Sequence, residues 1–533
     1  MENTATDGAP ESALTHRQIL VIFSGLMLGM LLAALDQTIV ATALPTITGE
    51  LGGLDHLSWV VTSYLLASAV STPLYGKLGD LYGRKRLFQV AIVVFLVGSV
   101  LCSLSQDMLQ LIVFRAVQGL GGGGLIVLAQ AIIADVVSPR ERGRYQGYFG
   151  AVFGATSVIG PLLGGFFTDN LSWRWVFYVN VPLGILALFV TSAVLPAGLR
   201  RGNPRIDYAG SAVLVTAVTC IVLLTTWGGT EYAWTSPTIL GLMAVSALLL
   251  VALFAIERRA AEPVVPVGLF SMRTFNISTS VSFIIGVAMF SAISFLPLFL
   301  QVVNGASATN SGLLLLPLML GLLTASVASG QVISRTGRYK VFPVAGTALA
   351  TLAMLLLSTM GTSTSQGSVT VYMVLLGAGI GLTMQTLVLA TQNTVPAKDL
   401  GAATSSVSFF RSMGGSVGVA LFGALFNSGL ASRLDGLSIP VGEGSTFTPD
   451  ALDALPADMA GQAVSAFADA LTTVFRYAVP LVALAAVLTC LLREAPLRKF
   501  THGASPGQGP AENGHAAAPS PAGSAPDAAP SLS

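Results

Sequence analysis

In the stretch LLAALDQTIVATALP a carboxylate, Asp36, stands among apolar residues. A charge placed in hydrocarbon costs about 2.5 to 3.5 kcal/mol unless it is paired, hydrated or protonated, so packing or chemistry must offset it. The packing reading makes Asp36 one end of an interhelical hydrogen bond. The chemical reading makes it a carboxylate facing a cavity, which binds a proton when the cavity is empty and releases it when a cationic substrate arrives. Competition of that kind at one site is sufficient for antiport. Arg115, in RAVQGLGGGG, is costly for the same reason, and Gln118 lies nearby on the same helix. An arginine near the end of a span can instead extend toward the interface. Arg411, in FFRSMGGSVG, is a second cation inside an apolar stretch, without a neighbouring acid, and reads as structural or gating.

Other chemistries find no support. Cys102, Cys220 and Cys490 fall inside apolar segments at spacings that suggest neither a metal site nor a disulfide, so they read as packing residues. His16, His56, His502 and His515 lie outside those segments. The run from Gly119 to Gly124 has no Lys-Ser or Lys-Thr after it and is read as close helix contact rather than a phosphate loop. No nucleophile, metal or nucleotide constellation points to an enzyme, and neither a metal, a cofactor nor a nucleic acid is expected.

The elements that must position these residues are membrane spans. Of 533 residues, 53% are hydrophobic and 10% charged, against about 25% charged in soluble domains. Windows of about 19 residues give fourteen spans, near 19–44, 57–76, 87–105, 108–134, 145–168, 173–195, 208–227, 238–256, 276–301, 311–333, 341–360, 369–392, 402–428 and 471–492. If both termini are cytoplasmic, that side collects 21 of the 26 Lys and Arg, and the other holds only Arg174, Arg433 and Arg476. This positive-inside bias predicts a multi-pass protein of the cell membrane, inner or plasma, with both termini inside. Residues 1–18 are then a cytoplasmic N-terminus without a cleaved signal, and 430–470 an external loop with six acids and a single arginine. The Ala, Pro, Gly and Ser tract of 497–533 reads as a disordered cytoplasmic tail.

GKLGDLYGRKR at 76–86 and GQVISRTGRYK at 330–340 align without a gap, matching Gly76 with Gly330, Gly83 with Gly337 and Arg84 with Arg338. Each follows the second span of a group of six. The chain therefore divides into a six-helix bundle over 19–204, an inserted pair over 205–272, and a second bundle over 273–496. Parallel repeats of this sort belong to transporters whose substrate site lies near the midplane between the halves.

GKLGDLYGRKR resembles the signature loop of the major facilitator superfamily at Gly76, Asp80, Gly83, Arg84 and Lys85, with Leu81 where that pattern often has Arg. RAVQGLGGGG looks like the fourth-span motif of its drug-exporting branches. GPLLGG, with Gly160, Pro161, Gly164 and Gly165, looks like their fifth-span antiporter motif, with Thr156 where Gly is common. LDQTIVATALP is similar to the first-span motif of the fourteen-span drug:proton antiporters, the EmrB/QacA-like family. The resemblance covers about residues 19–495. It implies an all-α polytopic membrane protein with the major facilitator fold, fourteen transmembrane helices in a 6+2+6 arrangement. It also implies that Arg115 assists proton movement, that the Asp80 and Arg84–Lys85–Arg86 loop latches the cytoplasmic ends, and that the Gly160–Gly165 region forms an outer gate.

The expected function is a proton-coupled antiporter that exports lipophilic compounds, cationic ones among them, such as drugs or antibiotics, by alternating access. Its partners are small lipophilic substrates, protons and membrane lipids, its power source the proton gradient, and its state a monomer. Export or flipping of envelope lipids is the alternative, and import of a polar nutrient a weaker one. Asp36 and Arg115 lie about 12 Å and 10 Å below the same surface at 1.5 Å per residue, so their side chains are expected to meet. Trp227 and Tyr208 of the inserted pair are expected away from the central cavity.

Overall fold

The computed structural model describes residues 16–51, 57–195, 206–229, 231–305, 314–435 and 456–497. Among them the chain is helical, without a named strand. The first half comprises α1 (His16–Leu51), α2 (Leu57–Tyr82), α3 (Arg84–Ser103), α4 (Met108–Val136), α5 (Pro139–Asn170), the single turn α6 (Trp175–Tyr178) and α7 (Asn180–Val194). Next come α8 (Tyr208–Trp227) and α9 (Pro237–Glu257). The second half comprises α10 (Arg273–Val302), α11 (Leu316–Thr336), α12 (Val341–Leu357), α13 (Gln366–Thr394), α14 (Leu400–Asp435) and α15 (Ala457–Cys490).

Helix starts follow from local chemistry. Asp107 accepts from the Gln110 amide to cap α4, and Asp207 from Gly210 to cap α8, while proline opens α5 and α9, where its missing N–H costs nothing. Twelve of the described helices, with α6 and α7 taken together, are long and apolar enough to cross a membrane. Of the remaining expected spans, α12 has only 17 residues, and α2 is long but rich in Ser, Thr and Tyr.

Several helices outrun the expected spans: α2 ends at Tyr82 rather than near 76, α5 begins at Pro139 rather than near 145, and α14 runs to Asp435 rather than near 428. α1 continues through Pro45 to Leu51 rather than stopping near 44. α15 begins at Ala457, so much of the expected loop 430–470 is helix. Buried Ala463, Phe467, Ala470 and Leu471 recur at helical spacing there, but the polar residues between them dilute the average that a hydropathy window reads. Residues 1–15, 436–455 and 498–533, on which the rest of the loop and the tail expectations fall, lie outside the described residues.

Each half has its own apolar core. Met30, Phe88, Phe95 and Leu128 belong to the first, and Phe299, Met354, Leu387 and Phe475 to the second. Glycines decide how closely the first half packs. α4 lies between α2 and α3, and a Cβ on Gly121 would stand 2.5 Å from the Phe95 amide nitrogen; no residue but glycine fits such an approach. α8 packs through Leu214 and Val218 against Ala69 and Val70 of α2 and Met413 of α14. α9 is peripheral, with Leu248 and Val251 more than two-thirds exposed. Tyr208 is exposed, and Trp227 packs edge-on against Trp59 and Tyr232.

The halves approach closely at the end of the molecule that carries the basic turns. There α5 lies along α11 through Gly143, Gly147 and Gly154, and α2 along α14 through Gly76. The two repeats contribute equivalently: a Cβ on Gly76 would meet the Gly401 carbonyl, and one on Gly330 the Gly143 carbonyl.

Candidate functional site

Asp36, midway along α1, is fully buried, and its two oxygens accept from side chains of two other helices. Arg115 Nη1 of α4 donates to Oδ2 at 2.5 Å, and Gln118 Nε2, one turn further on, donates to Oδ1 at 2.7 Å. Asn180 Nδ2, at the start of α7, donates to Oδ1 at 3.2 Å. Ser99 of α3 closes the ring, accepting from Gln118 at 2.6 Å and from Asn180 at 3.1 Å. Arg115 also donates to Gln118 Oε1 at 2.7 Å and to the Val60 carbonyl at 3.3 Å, and its guanidinium lies 4.3 Å from the Tyr64 ring centroid. Gly122 leaves the room that this ring occupies, since a Cβ there would meet it.

Asp36 and Arg115 thus meet as their depths suggested, and Arg115 is not extended toward an interface. The carboxylate is not open to a cavity in this structure, because α3, α4 and α7 enclose it. Removing one partner of such a pair leaves an uncompensated buried charge, at about 3 to 5 kcal/mol. Asn180, Ser99 and Tyr64 are polar residues that the sequence gives no reason to single out. Their type is ordinary in a span, and only the packing of α2, α3 and α7 on α4 brings them here.

The basic end holds a second network. Asp80 accepts from Arg84 Nη2 at 2.6 Å and from the backbone amides of Gly401 and Ala402 at 3.1 and 3.0 Å. Those amides are free donors at the start of α14, so the carboxylate of one half caps a helix of the other. Arg84 Nη1 reaches Asp135 at 2.5 Å and the Ala131 carbonyl at 2.9 Å, and Lys85 donates to the Ser192 carbonyl at 3.0 Å and to that of Leu195. Lys77 pairs with Glu262, in the segment after α9, at 2.6 Å. Gly83 is required by its φ of 95°, and its repeat partner Gly337 has φ 74°. In the second copy Ser334 stands where the first has Asp80; its carbonyl accepts from Arg140 Nε at 3.1 Å. Across the halves, one contact sets a carboxylate against backbone amides and the other a guanidinium against a backbone carbonyl.

A sequence model described as Major Facilitator Superfamily matches residues 26–419. The chain belongs to that superfamily. It is 50% identical over 494 residues to an uncharacterized MFS-type transporter of Mycobacterium tuberculosis, covering 92% of this chain and 71% of that one. It is 36% identical to the multidrug transporter protein MdtP of Bacillus subtilis, over 90% of this chain and 93% of the relative. Among solved structures, the fold resembles the proton:xylose symporter XylE with a TM-score of 0.63 at 14% identity, over 91% and 98% of the two chains. The protein is a multi-pass membrane transporter of this superfamily and not an enzyme.

The remaining motif residues of this superfamily member are placed unequally. Gly160 and Gly164 of α5 lie against α1, where added Cβ atoms would meet Thr38 and Thr42, and Thr38 Oγ1 donates to the Thr156 carbonyl at 3.0 Å. Pro161 lies between these contacts, and Gly165 has open space around it. The motif joins two helices of one half rather than the two halves. Arg411 of α14 is buried, and its Nη1 has no hydrogen-bond partner among the described residues. The structure does not bring it to the Asp36 network.

Proposed function

We propose that this transporter exports lipophilic compounds, cationic ones among them, from the cytoplasm in exchange for protons. The observation that carries the reading is the enclosed Asp36–Arg115 pair. A proton reaching Asp36 neutralises it and frees Arg115, so the ties between α1, α4 and α7 loosen. Because these helices belong to one half, protonation acts on the shape of that half rather than by direct contact with cargo. The names of the Bacillus relatives, a multidrug transporter and a multidrug resistance protein, support a drug-like substrate over an envelope lipid.

In the proposed orientation α2 and α12 also cross, giving fourteen spans in the cell membrane with both termini cytoplasmic. The end closed by Asp80, Arg84 and the α5–α11 contact is then the cytoplasmic one, and the molecule faces outward. The unit is a monomer without a cofactor. One carboxylate exchanging one proton for one monovalent cation moves no net charge, and gains about 1.4 kcal/mol per pH unit. For a neutral substrate the same cycle also gains about 2.3 kcal/mol per 100 mV.

The test is ethidium movement in vesicles containing the purified chain under an imposed proton gradient. Uptake against the ethidium gradient, collapsing with a protonophore and absent in Asp36→Asn, is expected. Transport that persists without a proton gradient would overturn the reading.

A further inference from the structure

The shell around Asp36 is complete for an ionised carboxylate and short of one group for a neutral one. As a carboxylate, Asp36 accepts from Arg115 Nη1, Gln118 Nε2 and Asn180 Nδ2. Once protonated it must also donate, and an acid hydroxyl held away from water needs an acceptor. The neighbouring acceptors are engaged. Gln118 Oε1 takes Arg115 Nη1 at 2.7 Å, the Val60 carbonyl takes Arg115 Nε at 3.3 Å, and Ser99 Oγ takes both Gln118 and Asn180. The Tyr64 hydroxyl donates to the Ala33 carbonyl at 3.5 Å and bonds the Gln37 side chain. Asn180 Oδ1, by contrast, is buried and has no partner among the described residues.

Asn180 is fully buried at the first position of α7, where the chain leaves the single turn α6. A half-turn about its Cβ–Cγ bond exchanges the two ends of the amide. Oδ1 then takes the place of Nδ2, which lies 3.2 Å from Asp36 Oδ1 and 3.1 Å from Ser99 Oγ. There its two lone pairs accept from the Asp36 hydroxyl and from the Ser99 hydroxyl. One end of the amide lacks a partner before and after the turn, so no new unmet group is created. The proton resides on Asp36 Oδ1, because Oδ2 faces the Arg115 guanidinium. Arg115 from α4, Tyr64 from α2 and Cys102 from α3, whose Sγ lies 3.7 Å from Gln118 Oε1, are the charged and titratable groups that face this shell. α5 meets α1 through Thr156, Gly160 and Gly164, and α6 meets Arg115 through Phe177, and these contacts add no charge.

We propose that Asn180 is a positioning residue for the coupling proton: its amide donates to the ionised Asp36 and, turned over, accepts from the protonated one. The proposal rests on the export reading for the role of that proton. It goes further in giving α7 a part of its own. When protonation parts Asp36 from Arg115, the loosened tie to α7 is remade in the opposite sense, at the joint between α6 and α7.

The test is an infrared pH titration of the purified full chain, following the C=O stretch of protonated Asp36, identified by its loss in Asp36→Asn. Asn180→Leu keeps the shape of the side chain and removes both donor and acceptor. The ionised form then loses the longest of its three hydrogen bonds, whereas the neutral form loses its one acceptor. The midpoint is therefore expected about one pH unit lower, a roughly tenfold weaker hold on the proton. In the unmodified chain carrying isotope-labelled asparagine, an amide C=O shift should appear at the same midpoint as the Asp36 band, a readout that does not depend on the variant folding. A midpoint that stays or rises in Asn180→Leu would overturn the proposal, since a rise is what loss of a donor alone produces, as would a labelled amide band that does not move. Titration needs neither substrate nor gradient, so these failures leave the export reading standing. An Asp36 that never takes up a proton would overturn both.

Discussion

At the scale of single residues, the Asp36 carboxylate and the Arg115 guanidinium neutralise each other at 2.5 Å in a region that solvent does not reach. Their structural and functional roles separate on double substitution. Asp36→Asn leaves Arg115 buried without a counter-charge, and Arg115→Gln does the reverse, so each is expected to lower unfolding stability by about 3 to 5 kcal/mol. The double variant, with two neutral amides, should recover most of that loss, a coupling that a double-mutant cycle measures. Gradient-driven export should be absent from all three. Recovery of export along with stability would show that the pair only holds helices together.

At the scale of elements, the turn between α2 and α3 is built around Gly83 and the cap that Asp80 places on α14. Gly83→Ala forces an L-residue to φ 95° and should cost about 1 to 2 kcal/mol, read as a lower melting temperature with helicity intact. Asp80→Asn removes the ion pair with Arg84 and weakens acceptance from the Gly401 and Ala402 amides. Ser405 lies beneath this latch, where it would meet a Cβ on Gly76. In a Ser405→Cys background, Asp80→Asn should speed maleimide labelling several-fold above that of the native cysteines. Equal rates would mean that the cap does not hold the basic end shut.

At the scale of the whole molecule, two halves with separate cores meet along α5–α11 and α2–α14, while α8 bridges α2 and α14 from outside. At the basic end the Asp80 cap and the glycine contacts of α5 join the two halves. Orientation is checked by labelling from outside the cell. A cysteine at position 442 should react with an impermeant maleimide, and one at position 201 should react only after the membrane is made permeable. The opposite pattern would invert the topology and with it the direction of transport.

The sequence by itself determined the helical class, the positions of most helices and the family, because hydropathy and charge are local and a membrane penalises each misplaced charge separately. It also singled out Asp36 and Arg115, since an ionised side chain is conspicuous among leucines and alanines, and the glycine run of α4 as a close-packing face. Averaging over a window hid the start of α15, where buried Ala463 and Phe467 alternate with polar positions. What the tertiary structure alone decided is which groups answer each other. Asp80 finds its donors 321 and 322 residues away, Asn180 and Ser99 complete the shell of Asp36, and Gln146 and Gln385 face one crevice from opposite halves. Glutamine, serine and asparagine are unremarkable in a transporter span, and their significance depends on whether the neighbouring helix offers a partner, which no local property of the chain encodes.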